Sequence, residues 1–250
     1  MKILNTVLLL MIVSCGPVVN QQKLILSQDL LVNKVLVELQ LNQSEIHLYY
    51  IQSPQDYLNE TILVFAEEES IDDQDRERYT SHIVIANSIT GKIKNYFSEK
   101  SIENGWVSDA LFIDEVRVDT TTHKLNETKT AFGVIVRFRN NSQPSPYEEE
   151  NLSLFIKEDD RLKKVLDNYT IYESIGEVNV SKNACGANFK IMKNKLSGIH
   201  INTNGYYDIR VNSISAKRSF NEDENGDCNP IEKKLNQTAK VLKYNGEIYK

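Results

Sequence analysis

Cysteine is scarce in this 250-residue chain, with only three, and so are basic blocks, catalytic signatures and internal repeats. Each shortage excludes something. Lys and Arg number 29 against 35 Asp and Glu, a formal balance of -6, so no surface run of cations is available to track a phosphate backbone. Nucleic acid is therefore excluded as the expected partner. Beyond the first fifteen residues no apolar stretch approaches the length needed to cross a bilayer, which excludes a helical membrane span. No repeat is sharp enough to establish propeller blades or a solenoid.

Chemistry is equally thin. No Gly-x-Ser-x-Gly, Ser-x-x-Lys or Cys-His arrangement occurs, so no nucleophile can be assigned. The histidines, His47, His82, His123 and His200, never fall at i, i+2 or i, i+4, and no zinc signature can be built from them. Three of the four sit inside strand patterns, where a half-exposed ring is ordinary. The expectation is a protein without catalytic residues, metal or cofactor.

What is present begins at the N-terminus. Lys2 supplies a positive charge, and Val7 to Val13 form an uninterrupted apolar run of the kind that enters a translocon and is then removed. Ile12, Val13, Ser14 and Cys15 follow the order of an aliphatic residue, a small or branched one, a small one and a cysteine. This stretch resembles the lipobox of bacterial lipoproteins. The resemblance implies cleavage before Cys15, a diacylglycerol thioether on its thiol and acylation of the new amine. Several acyl chains at about 0.8 kcal/mol per buried methylene hold a protein permanently. Residues 1-14 are then a signal peptide, 15-22 a polar tether and 23-250 the folded body. Gly16 is not the Asp associated with inner-membrane retention, and Pro17 to Lys23 lack the acidic pair that resembles a surface-export tag. The expected address is the outer membrane, facing the periplasm.

With Cys15 assigned, two thiols remain, Cys185 and Cys228. An oxidising compartment would join them if the fold brings them together, and two buried free thiols are the alternative. Their sequence contexts lack a second ligand at metal-binding spacing.

The body, 40% apolar overall, reads as strands. Val35, Val37, Leu39 and Leu41 alternate with polar residues, Asn42 to Glu45 turn, and Ile46, Leu48 and Tyr50 alternate again, which predicts a hairpin. Lys23 to Leu36 also fits a short helix. Strands are expected at Thr61-Ala66, His82-Ala86, Lys92-Phe97, Leu111-Val118, Ala131-Phe138, Leu152-Ile156 and Leu162-Tyr172. Phe189-Met192, Gly198-Ile201, Tyr206-Val211 and Val241-Tyr244 follow, with Asn-Gly turns at Asn204-Gly205, Asn225-Gly226 and Asn245-Gly246. The fold class is all-β, an antiparallel meander of many short strands closing as a sandwich, a barrel or a small propeller, with one possible N-terminal helix. Pro144-Ser145-Pro146 marks a possible sub-boundary near 142-147. Within the C-terminal half, Ala131-Phe132-Gly133, Asn140-Asn141-Ser142, Leu152 to Phe155, Leu162 to Leu166 and Leu242 to Gly246 resemble stretches of exported Gram-negative bacterial proteins without an assigned function, which implies a periplasmic context and no activity.

Carboxylates are too plentiful to single out a site. Glu67, Glu68, Glu69, Asp72, Asp73 and Asp75 read as an acidic surface loop. Asp223, Asn225 and Asp227 open like a calcium loop, but Cys228 stands where the sharp-turn glycine belongs and Lys234 where the bidentate glutamate belongs, so a plain turn is expected. The twelve tyrosines, with pairs at Tyr49-Tyr50 and Tyr206-Tyr207, suit a binding surface, though one ring of each pair should face inward. These features lead to a lipid-anchored, non-catalytic periplasmic protein that binds a protein or envelope component. The alternatives are an envelope hydrolase using a carboxylate pair and a small-ligand carrier.

Overall fold

The computed structural model describes residues 25-53, 59-71, 76-179, 181 and 185-250, without the side chains of residues 70, 71 and 120. The leader, Cys15 and the polar tether lie outside this range, as do Asp72, Asp73 and Asp75.

Ser27 starts the first element by accepting a hydrogen bond from the Leu30 amide, and Gln40 ends it in the left-handed conformation. Between them Gln28–Leu39 form an α-helix, α1. Leu31, Val32, Val35 and Leu36 share its buried stripe, each contributing about 1.5–3 kcal/mol by leaving water. The hairpin expected from Val35 onward is therefore corrected. Val37, which alternation placed on the same side as Val35, is 77% exposed on the far side of the helix. After a 3-10 turn at Gln43–Glu45 comes β1 (Ile46–Gln52), whose partner is β2 (Glu60–Ile71), not the preceding segment.

The chain continues as β3 (Glu77–Asn87), β4 (Ile93–Glu99), the one-turn helix α2 (Ser101–Asn104), β5 (Val107–Ser108), β6 (Phe112–Lys124), β7 (Thr130–Arg139), β8 (Tyr147–Glu158) and β9 (Arg161–Glu177). Three long strands close it: β10 (Asn188–Thr203), β11 (Tyr206–Glu222) and β12 (Cys228–Leu242). The fold is all-β with a short helix. Neighbouring strands pair antiparallel throughout, apart from a single parallel bridge, Tyr96 to Arg161, joining β4 to β9.

The layers follow from which faces are apolar. β2 and β3 are buried on both sides, which explains the unbroken Ile62-Leu63-Val64-Phe65-Ala66 run where alternation would be expected of a half-exposed strand. Ile62, Val64, Ile83 and Ile85 face Val116, Val134, Val136 and Phe155 of the β6-β9 strands. Leu63, Phe65, Val84 and Ala86 face α1. On the other side of the β6-β9 strands, Ile135, Leu154, Val165 and Leu166 pack against Ile209, Val211 and Leu242 at the base of β11 and β12. The strands form one continuous sheet, joined at β4 and β9, whose β1-β4 and β6-β9 parts stack face to face between α1 on one side and the base of the β10-β12 ribbon on the other. The segment 140–146 with its Pro-Ser-Pro joins β7 to β8, which pair with each other directly.

Two further expectations change. Glu67, Glu68 and Glu69 lie within β2 and do not form a loop. Phe189-Met192 and Gly198-Ile201 belong to one strand, β10, and the paired segments of β11 and β12 from about Asn212 to Lys240 carry no alternation that a sequence pattern could reveal.

Candidate functional site

Two of the four histidines are paired with carboxylates in the interior or at its edge. His82 is 4% exposed, on the helix-facing side of β3. Its Nε2 lies 2.9 Å from Glu67 Oε2 and its Nδ1 2.7 Å from the Tyr96 hydroxyl. Burial pushes the imidazole below its ordinary pKa, against the pull of the Glu67 carboxylate, and raises the Tyr96 hydroxyl. His123 Nε2 sits 2.8 Å from Asp119 Oδ2. Burial would raise that carboxyl, yet hydrogen bonds from His123 and the Thr121 amide hold it below its usual range. His47 packs on Tyr79 with ring centroids 4.8 Å apart, and His200 meets Tyr207 edge-on at 5.0 Å. The four histidines therefore occupy four separate sites.

Glu69 accepts from the Ser101 amide at 2.7 Å, the Ser101 hydroxyl at 2.8 Å and the Thr80 hydroxyl at 2.9 Å, so it fastens the start of α2 to β3. Asn104 ends that turn. Its Nδ2 donates to the Glu99 carbonyl and to Ser81 Oγ, while its Oδ1 accepts from the Trp106 amide at 2.6 Å. Beneath lies a cavity of about 10 Å³ beside Trp106 and Lys164, room for roughly one water molecule.

Two open recesses flank Val107 to Leu111. The first, about 390 Å³, is lined by His47, Glu77, Ser108, Asp109, Phe112 and Asn141. Here Glu77 accepts a hydrogen bond from the buried Tyr79 hydroxyl at 2.5 Å. The second, about 340 Å³, shares Asp109 and adds Leu111, Glu149, Asn151 and Asn168.

The remaining residues singled out in the sequence fall as follows. Cys185 and Cys228 form a disulfide with Cα atoms 5.4 Å apart, which ties the segment before β10 to the start of β12. Asp223 Oδ1 accepts from the amides of Asn225 and Asp227, and Oδ2 accepts from Asn229 Nδ2, so both oxygens serve the β11-β12 turn. Among the described residues, no group of three or more His, Cys, Asp or Glu side chains is placed to hold a metal ion. Tyr50 packs on the first core and Tyr206 on the second, while Tyr49 is 57% exposed and Tyr207 is half-buried with its hydroxyl on Glu127. Tyr206, Tyr244 and Tyr249 form one aromatic cluster that holds the C-terminus.

Sequence periodicity missed a long exposed ribbon. The three strands β10, β11 and β12 are 16, 17 and 15 residues long, but their apolar base is short. Almost all of β12 is exposed. These strands carry nine Lys and Arg against three Asp and Glu, a balance of +6 inside a chain whose total is -6. Charge counted per segment was the signal that could have found it. Lys190 is directly opposite Lys217, and Lys217 directly opposite Lys233, so three ammonium groups leave one face of the ribbon side by side. Arg218 and Lys193 share Glu232 on a neighbouring row, with nearest approaches of 2.7 and 3.9 Å.

Among the described residues no helix is long and apolar enough to cross a membrane. No protein family, curated protein or solved structure matches this chain.

Proposed function

We propose that this protein is a lipid-anchored, non-catalytic module of the bacterial envelope, held at Cys15 on the outer membrane facing the periplasm, and that the β10-β12 ribbon is its docking element for an envelope partner. One observation carries the docking role: three long strands stand with charged and aliphatic side chains in water, beyond any core they could serve. Burying backbone alone does not offset the cost of ordering so many residues, whereas a binding surface explains keeping them. The leader's order of charge, apolar run and Ser14-Cys15 supports the anchor, and the Cys185-Cys228 bridge supports an oxidising compartment.

Replacing Cys15 with Ser tests the anchor. The variant should lose palmitate label and leave the membrane fraction, and a C15S protein that still resists a detergent-free wash would refute the anchoring. Pull-down from an envelope extract tests the docking element: capture should fail when Lys190, Lys217 and Lys233, the exposed row shared by its three strands, are replaced.

A second reading rests on the recess that holds Glu77, Asp109 and His47, since an envelope hydrolase needs two carboxyl groups facing one cleft. Its test is hydrolysis of peptidoglycan by the native protein and by Glu77→Gln and Asp109→Asn. Activity lost in both variants would establish this reading, and no turnover by the native protein would remove it.

A further inference from the structure

Lys190, Lys217 and Lys233 occupy one row across β10, β11 and β12, at the strand spacing of about 4.8 Å. Ile175 of β9 continues the row opposite Lys190. Ile231 projects from the same face as Lys233, two positions earlier on β12, opposite Ser219. These isoleucines are 47% and 59% exposed. The nearest acidic side chains on this face are Glu173 and Glu177 of β9, opposite Met192 and Asn188 in the flanking rows. Among the described residues none of the three lysines has a carboxylate within ion-pair distance. Like charges placed directly opposite one another destabilise a sheet, and a chain with 35 acidic residues has the means to neutralise them. The arrangement is therefore suited to something outside the chain.

We infer that this face of the ribbon docks on an anionic lipid membrane, the three ammonium groups on headgroup phosphates and the two isoleucines in the interfacial zone. The inference deepens the docking role proposed above and rests on it. Ammonium groups alone would suit any polyanion. Exposed aliphatic side chains on the same face favour a lipid surface, because a soluble polyanion would leave them in water. No aromatic ring on which nucleic-acid bases could stack stands among the three lysines; the row reaches one only beyond Ile175, at Tyr147 of β8, a half-buried ring whose hydroxyl is bonded to Glu149 and Glu173.

The test uses the full chain carrying Cys15→Ser, so that no acyl group takes part, and flotation with vesicles of phosphatidylcholine alone or containing phosphatidylglycerol. The protein should prefer the anionic vesicles by roughly 100-fold, about fivefold per lysine, and lose the preference in high salt. A triple variant Lys190→Gln, Lys217→Gln, Lys233→Gln should lose it at low salt as well. The matched variant Lys193→Gln, Lys195→Gln, Lys234→Gln, on the ribbon's other face, should keep it. An undiminished preference in the first triple variant, or an equal loss in both, overturns the inference. So does binding of soluble polyphosphate that depends on the row of lysines without any preference for anionic vesicles. Palmitate labelling of the native chain is scored separately, so failure of the anchor and failure of the lysine face give different results.

Discussion

Asn104 shows how much one side chain organises in this fold. It is 4% exposed and joins the end of α2, the β3-β4 pair and the Trp106 backbone through its amide group. Asn104→Ala leaves the Trp106 amide and the Ser81 hydroxyl without that partner, and urea denaturation should show a loss of about 2–3 kcal/mol. His82 sets a pH dependence. Burial holds its pKa below the ordinary value of 6.5, so in and below that region the unfolded chain binds more protons than the folded one. Its contribution to stability is fully present above pH 6.5 and is lost as pH falls from there through the lower pKa of the folded state. The melting temperature should drop between pH 7.5 and pH 5, and His82→Gln should flatten that slope; an unchanged slope in the variant would place the dependence elsewhere. Gly133 is a third such position. A Cβ there would lie 2.6 Å from Leu152 Cδ1 and 2.8 Å from Asp119 Cβ, so Gly133→Ala should destabilise by about 1–3 kcal/mol in the same denaturation assay. A ring inside a strand was legible for His82 from its neighbours in the chain. Its partners Glu67 and Tyr96, 15 and 14 residues away, were not, because they meet it only through strand pairing.

At the scale of elements, the segment from Lys23 to Leu41 fits both a helix and a strand and the structure decides for the helix, while the ribbon reads as separate short strands for the opposite reason. In α1 the apolar residues Val35, Val37 and Leu39 satisfy a period of two by accident. The Ser27 cap and the sheet it packs on decide for the helix. In β10 to β12 the sequence shows no period because most side chains face water on either side of the ribbon. Backbone pairing and the Cys185-Cys228 bridge hold that ribbon. The bridge closes a separation of 43 residues, for which the chain-entropy argument expects about 4 kcal/mol of stability. Cys185→Ser with Cys228→Ser, or reduction of the native protein, should lower the urea midpoint accordingly and speed amide exchange in β12 first. Equal midpoints with and without reductant would show that pairing alone holds the ribbon.

At the scale of the molecule, stability should be graded. β2 and β3 lie between two apolar layers, with Ile62, Leu63, Val64 and Phe65 at 0% exposure, whereas β12 has core contact only at its end, through Leu242. Native-state hydrogen exchange should therefore find the amides of Ile62 to Phe65 opening only on global unfolding, and those of Ile231 to Gln237 opening at much lower free energy. Uniform protection across both would mean that the ribbon is covered in solution.

The strand-rich class, the boundaries of β4 and β7 to within two residues, the C-terminal end of β3 and the turn at Asp223 follow from the sequence alone, because each is a local pattern of side-chain period or turn chemistry. Tertiary structure decided which histidine meets which acid, which face of α1 is buried, and that three lysines far apart in the chain stand in one row. Those facts depend on cross-strand register, and register is set by contacts between segments that no window of neighbouring residues contains.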